Sequence, residues 1–261
     1  MSGIDPQWIE AASYSDVGRV RSVNQDRFAE FDNGRGSRLL VVADGMGGHR
    51  GGKTASRLAV EAIGDVFARS EEPLEKMMRT AIETANEQVY RRGSADPNLA
   101  GMGTTVVALC LGEGGEAHVA HVGDSRLYLL RGGRLDALTA DHSVVAEMQQ
   151  QGFLSAEEAQ VHPRRNELTR SVGVAAAVEV DVARIAVKPG DRFLLCSDGL
   201  CGYVGDVEIR EVLEREGPLD AARMLVDHAN AKGGHDNVTV QVLAIRDTAA
   251  LGGDVADEKE A

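Results

Sequence analysis

Apolar residues along the chain follow two rhythms. Short unbroken runs ended by glycine or aspartate mark buried strands, and apolar positions three or four apart mark the helices that cover them. SRLLVVAD, Ser37 to Asp44, is a run of the first kind. Behind it, Ala55, Leu58, Ala59, Ala62, Ile63, Val66 and Phe67 recur at helical spacing and predict one apolar face. Leu74, Met77, Met78, Ala81, Ile82, Ala85 and Val89 predict a second helix, with Pro73 in its first turn. The stretch TTVVALCLGEGGEAHVAHVGDSRLYLLRGGRL breaks its apolar runs with Gly-Gly pairs at 114–115 and 132–133, the pattern of a β-meander with tight hairpins. Residues 143–152 read as helix, whereas Phe153 to Arg170 is polar and aperiodic. A long irregular segment inside a compact domain usually serves function. Two strands follow, VEVDVARIAV and DRFLLC, then helices around 206–216 and 219–231, and a closing strand NVTVQVLAI.

This order lacks regular strand–helix alternation, which excludes a doubly wound parallel sheet. It predicts an α+β fold in which two antiparallel sheets pack together with helix pairs outside. No internal repeat or linker divides the chain, so one domain is expected, ending in an acidic tail that frays in solvent.

Composition narrows the setting. At 43% apolar and 26% charged the chain is an ordinary globular one, and 261 residues bury a full core without disulfide staples. Its three cysteines, Cys110, Cys196 and Cys201, are odd in number and form no CxxC, so neither a disulfide framework nor a zinc ribbon is indicated. No stretch approaches the roughly 20 apolar residues of a membrane helix. The start, MSGIDPQWIE, lacks the basic and apolar regions of a signal peptide. A soluble cytoplasmic protein is expected, without membrane contact and monomeric by default. A net charge of −13 argues against nucleic acid as a partner, because phosphate backbones need clustered Lys and Arg.

The candidate chemistry lies in aspartates at strand ends. Asp44 ends RLLVVA, Asp124 ends HVAHVG and Asp198 ends RFLLCS, while Asp26 opens RFAEF and Asp236 opens NVTVQVLAI. In antiparallel sheets the end of one strand lies beside the start of its neighbour, so all five can gather at one edge. Taken singly, Asp-Gly is a turn signal. Taken together, these carboxylates would repel one another unless divalent cations lay between them. Hard oxygen donors without clustered Cys or His favour Mg²⁺ or Mn²⁺ over Zn²⁺. His118 and His121, three apart on a strand, fall on opposite faces and cannot chelate one metal together. No cysteine has an HCx5R pattern, which disfavours a cysteine-based phosphatase mechanism.

These residues lie in motifs that resemble the metal-dependent protein phosphatase family, type 2C. The resemblance runs from about Ser13 to Ile245 through SDVGRVRSVNQDRF, VVADGMGGHRGGKTAS, GMGTTVVAL, HVGDSRLYLLR, DHSVVAEMQQQGFLSAEEAQVHPRRNELTRSVG, LLCSDGL and GGHDNVTV, in the family's order. The short DGMGGH form and HPRRNELTRSVG look like the bacterial branch. The resemblance implies a four-layer α-β-β-α sandwich with two central antiparallel sheets. It implies a catalytic domain over residues 1–247 and an acidic, disordered tail over 248–261. It also implies hydrolysis of phosphate monoesters on protein phosphoserine and phosphothreonine by a metal-activated water, reversing a bacterial Ser/Thr kinase. Two Mn²⁺ or Mg²⁺ ions are implied, with a third, weaker one.

By the same resemblance, Asp44 bridges two metals, with the Gly45 carbonyl on one of them. Asp198 and Asp236 hold the second metal, and Asp124 helps bind a third. Asp26 binds a metal-bound water, Arg21 holds the substrate phosphate, and residues 143–168 form a flap beside the site. Three departures stand out: Gln25 where many members have Glu, Cys201-Gly202-Tyr203 after SDGL, and Met46 where well-studied members place a general-acid histidine. His49, four residues after Gly45, is the remaining candidate general acid. Two rivals share the fold: a phosphatase dedicated to one phosphorylated regulator, and a non-catalytic binding module. Loss of Asp44, Asp198 or Asp236 would mark the latter, and all three are present.

Overall fold

A computed structural model describes residues 9–112 and 115–246, apart from the side chain of His49. The apolar runs form two five-stranded sheets in which every neighbouring pair is antiparallel. One sheet is ordered β1 (Ile9–Asp16), β12 (Val238–Ile245), β11 (Arg192–Cys196), β8 (Arg126–Arg131), β9 (Arg134–Ala137). The other runs β10 (Asp181–Ala186), β7 (Glu116–Val122), β6 (Val106–Leu111), β3 (Arg38–Ala43), β2 (Arg27–Asp32). A two-stranded ladder, β4 (Gly45–Met46) with β5 (Gly103–Thr104), extends beyond the end of β3.

The helices lie where the apolar faces require. α1 (Gly48–Arg69) and α2 (Leu74–Ala95) bury Ala59, Ile63, Phe67, Met77, Ile82 and Val89 against the β3 sheet. α6 (Asp206–Arg215) and α7 (Pro218–Ala231) bury Ile209, Leu213, Leu225 and Val226 against the β12 sheet. A third cluster, including Leu40, Val42, Leu109, Leu127, Phe193 and Leu243, is sealed between the sheets. Alternate residues of one strand therefore enter different cores: Leu39 and Val41 face the helices, while Leu40 and Val42 face the partner sheet. This is the expected four-layer sandwich. It explains the unbroken apolar runs, since a strand covered on both faces has no polar side.

Several elements depart from the sequence reading. The stretch read as one meander splits. β6–β7 and β8–β9 are hairpin pairs, but β7 and β8 belong to different sheets, and the chain changes sheet at Gly123-Asp124-Ser125. Gly123 makes that corner at φ 109°, a conformation that suits glycine. α1 starts at Gly48, before its apolar periodicity is visible, and Pro73 stands just ahead of α2. α3 (Val144–Gln150) matches its expected span. The segment read as irregular contains α4 (Ala156–Val161), started by a capping box between Ser155 and Glu158. The short helix α5 (Asp198–Cys201) follows β11 directly. The acidic tail at 248–261 lies outside the described residues.

Candidate metal centre and active site

The antiparallel registers bring the strand-end aspartates to one edge. Arg27 pairs with Ala43, which places Asp26 beside Asp44. Cys196 pairs with both Val240 and Arg126, which places Asp198 near Asp236 and Asp124. The charges of Asp26, Asp198, Asp124 and Asp236 all reach the Asp44 carboxyl. All five expected carboxylates thus converge.

Burial and mutual repulsion dominate their chemistry. Asp44 is raised well above the ordinary carboxyl range, by burial first and then by the charges of Asp26, Asp198, Asp124 and Asp236. Burial lifts Asp26 to about 7, although the Thr239, Ser197 and Asp44 side chains favour its charged form. Burial, then Asp198 and Asp141, lift Asp124 to about 8. Burial and then Asp236 raise Asp198. One oxygen each of Asp26 and Asp198 is buried without a hydrogen-bond partner. The guanidinium of Arg21 sits at the exposed rim, where its Nη2 donates to Asp236 Oδ2 at 2.7 Å. Five converging carboxylates, with a buried unpartnered oxygen on each of Asp26 and Asp198, make a donor set that fits divalent cations held by oxygen.

Hydroxyl and amide side chains fix the backbone beneath these acids. The Asp44 amide donates to Thr105 Oγ1 at 3.0 Å, and its carbonyl accepts from Thr105 N and Thr104 Oγ1, each at 2.8 Å. Thr105 Oγ1 also contacts Ser125 Oγ at 2.7 Å, tying the Asp44 strand to the Asp124 corner. Ser197 Oγ donates to Asp26 Oδ2 at 2.8 Å. Gly45 is held to glycine by crowding: a Cβ there would stand 2.1 Å from the carbonyl oxygen of Gly52 in α1.

Asn237 organises the loop that carries Arg21 and Asp26. It accepts the Gln25 amide at 2.8 Å and donates to the carbonyls of Val17 and Val23 at 2.9 and 3.1 Å. Replacing Asn237 with alanine strands these half-buried groups and is expected to lower unfolding free energy by about 1–3 kcal/mol. A denaturant titration checks this, and a loss below about 0.5 kcal/mol would contradict it.

Of the other expectations, His49 falls in the first turn of α1, but its side chain lies outside the described residues. The two ends of the segment expected to form a flap are joined by Val144 N donating to Glu167 O at 2.9 Å and by the bridge between Ser143 and Leu168. His118 and His121 do point apart, yet His121 joins a group that sequence reasoning missed. It stacks on His142 at 4.5 Å, and the metal-binding atoms of His121, His142 and Asp181 lie within 4.8 Å of one another. The hydrogen bonds give this group a structural task. The Gly123 amide donates to His142 Nδ1 at 3.1 Å, leaving the ring proton on Nε2, which faces Asp181 Oδ2 at 3.3 Å. His142 N also donates to Gly123 O at 2.9 Å, so the ring and its backbone clamp the corner that carries Asp124. Burial, His121 and Arg170 hold His142 neutral, down at about 4.

Comparison with known proteins agrees with this geometry. The family model for protein phosphatase 2C matches residues 18–236, which include all five aspartates and Arg21. The chain belongs to the protein phosphatase 2C family. It is 39% identical over 248 residues to the serine/threonine phosphatase stp of Listeria monocytogenes, covering 93% of this chain and 98% of that protein. The solved serine/threonine phosphatase of S. agalactiae superposes at TM-score 0.86 with 38% identity, over 92% of this chain and all of that one. The catalytic domain of the phosphatase PstP, solved in complex with two manganese ions, superposes at TM-score 0.82 with 35% identity, over 92% of this chain and 99% of that one. In this phosphatase 2C chain, then, the α-β-β-α sandwich and the family read from the motifs both hold.

Proposed function

We propose that this chain hydrolyses phosphate monoesters on serine and threonine side chains of phosphorylated proteins, with two Mn²⁺ or Mg²⁺ ions and a third, weaker one. The observation that carries this is the edge where Asp26, Asp44, Asp124, Asp198 and Asp236 meet, with a buried, unpartnered oxygen on each of Asp26 and Asp198. The manganese-bound relative supports the metal identity. Asp44 would span two cations, Asp198 and Asp236 would complete the second site, Asp124 would serve the third, and the Gly45 carbonyl would add a ligand. Bound cations would neutralise charge on the phosphoryl oxygens and make water a better nucleophile near neutral pH.

The chain's own residues supply position. Asp26, held by Ser197, presents a carboxylate that can accept a proton from water. Arg21 at the rim offers a planar fork suited to two phosphate oxygens, and its present partner Asp236 marks an anion-binding position. Thr104, Thr105 and Ser125 keep Asp44 and Asp124 in register. The partner kinase in such a cycle would be a protein Ser/Thr kinase whose phosphoproteins this chain resets, in the cytoplasm.

Turnover of a phosphothreonine peptide tests the reading. Hydrolysis is expected with Mn²⁺ or Mg²⁺ and is expected to vanish with a chelator. Well-folded, Mn²⁺-loaded protein that leaves both the peptide and p-nitrophenyl phosphate intact would overturn it in favour of a binding module.

A further inference from the structure

The first turns of α1 carry a row of cations beside the carboxylate edge. Arg50, Lys53, Thr54 and Arg57 stand at i, i+3, i+4 and i+7 and so share one face of the helix. Arg50, Lys53 and Arg57 are exposed, while Gly51, Gly52, Ala55 and Ser56 are buried. This face forms one wall of a cavity of about 430 Å³, and Arg92 and Asp96 at the end of α2 stand on the other wall. Two of the cations are already engaged, Arg57 with Glu61 at 2.6 Å and Arg92 with Asp96 at 3.3 Å. Among the described residues, Arg50 and Lys53 have no carboxylate within ion-pair distance.

Position links the groove to the reaction. Lys53 also lines a second cavity of about 570 Å³, together with Ser22, Asn24, Asp26 and Arg27. Its neighbour Gly52 abuts Gly45, next to Asp44. The cationic row therefore begins at the proposed catalytic edge and leads away from it. On a chain of net charge −13, an acidic polypeptide is repelled over most of the surface. A local strip with two uncompensated cations is where such a polypeptide can lie.

We propose that this groove is a docking subsite for an anionic side chain of the phosphoprotein substrate, a second phosphorylated residue or an Asp or Glu. The proposal rests on the phosphatase reading above and names the sequence feature that reading leaves open. Arg50 to Arg57 spans about 10 Å of helix. An extended peptide advances about 3.4 Å per residue, so an anion three or four residues from the phosphate being removed lies about 10–14 Å from it, a reach comparable with the length of the row. A phosphate takes charge-assisted hydrogen bonds from Arg and Lys together, and a carboxylate takes fewer.

Three phosphothreonine peptides test this in the Mn²⁺-loaded protein. One has neutral flanks, one carries Glu three and four residues away on both sides, and one carries a second phosphothreonine there. The anionic peptides are expected to have a KM about fivefold lower than the neutral one, with kcat unchanged and the gain shrinking as salt is added. In the Arg50→Gln/Lys53→Gln variant the three KM values converge, while kcat/KM for p-nitrophenyl phosphate stays at the wild-type value. A gain confined to the doubly phosphorylated peptide identifies a phosphate subsite, and a gain shared with Glu identifies a general anion subsite. Fluorescence-polarisation binding of the same peptides to Asp44→Asn scores the groove separately from turnover. Failure of turnover alone therefore falls on the phosphatase reading. Equal affinity for all three peptides, or an anionic preference that survives in the double variant, overturns the subsite.

Discussion

Asp44→Asn is expected to lower kcat/KM for a phosphothreonine peptide by about 10³-fold or more while leaving the fold intact. The size follows from where Asp44 sits. Its carboxyl is the one that Asp26, Asp198, Asp124 and Asp236 all reach, so its charge is shared by any cations bound there. Asparagine keeps the shape and removes that charge. It also turns an amide donor toward Asp26 or Asp198, where a cation would otherwise lie. The fold survives because Thr104 and Thr105 hold the main chain of residue 44, which the substitution does not touch. With a chelator present, the variant is expected to melt no lower than wild type, because it buries one fewer destabilised carboxyl. Michaelis kinetics across a Mn²⁺ titration, paired with a melt in chelator, check both halves. Activity within tenfold of wild type at saturating Mn²⁺ would remove Asp44 from the centre of the mechanism.

What the sequence could show depended on how far each signal reaches along the chain. β3 was legible because a strand covered on both faces is an unbroken apolar run, and α1 and α2 because one face of each is buried. The aspartates were legible because they interrupt those runs at the strand ends. The change of sheet at Gly123 was not, since hairpin and sheet-switching corner both read as glycine between apolar runs. α4 and α5 span only six and four residues, too few to show a helical period. Ser155 and Glu158 did carry a capping signal for α4. The residues that hold the site in place were the hardest to see. Asn237 meets Gln25 across 212 positions, and His142 meets Asp181 across 39. Such pairs leave no local pattern, and a lone Asn or His reads as any surface residue until the fold brings its partner.

With metal removed, the protein is expected to lose stability as pH rises from 6.5 to 8. Asp26 and Asp124, ordinarily near 3.8, stand at about 7 and about 8 in the folded chain. A carboxyl raised on folding makes the native state hold more protons than the unfolded state between the two values. Stability then falls with rising pH across that interval and is fully lost above the folded value. The histidines act in the opposite direction, since burial lowers His118, His121 and His142 from 6.5. Their contribution is half complete at about 6.5 and levels off about one unit higher, so it offsets part of the carboxyl loss below about pH 7.5 and little of it above. Stopping at pH 8 keeps the thiol contribution small and of the same sign as that of the carboxyls, because Cys110 is pushed up to about 12 while an unfolded thiol, near about 8.5, has only begun to ionise. Net of the histidines, the fall is on the order of 1 kcal/mol over the window. For a chain of this size that is about 2–4 °C in melting temperature. Mn²⁺ or Mg²⁺ should reverse the trend, because a bound cation favours the charged carboxylates and competes with protons for them. At a hundred times its dissociation constant it adds about 2.7 kcal/mol, and by this competition the effect grows toward pH 8. Differential scanning fluorimetry at pH 6.5, 7.2 and 8.0, with chelator and with Mn²⁺, reads both slopes. A chelated melting temperature that holds or climbs across this window, or one indifferent to Mn²⁺ at pH 8, would mean that the five aspartates are stabilised by something other than a cation.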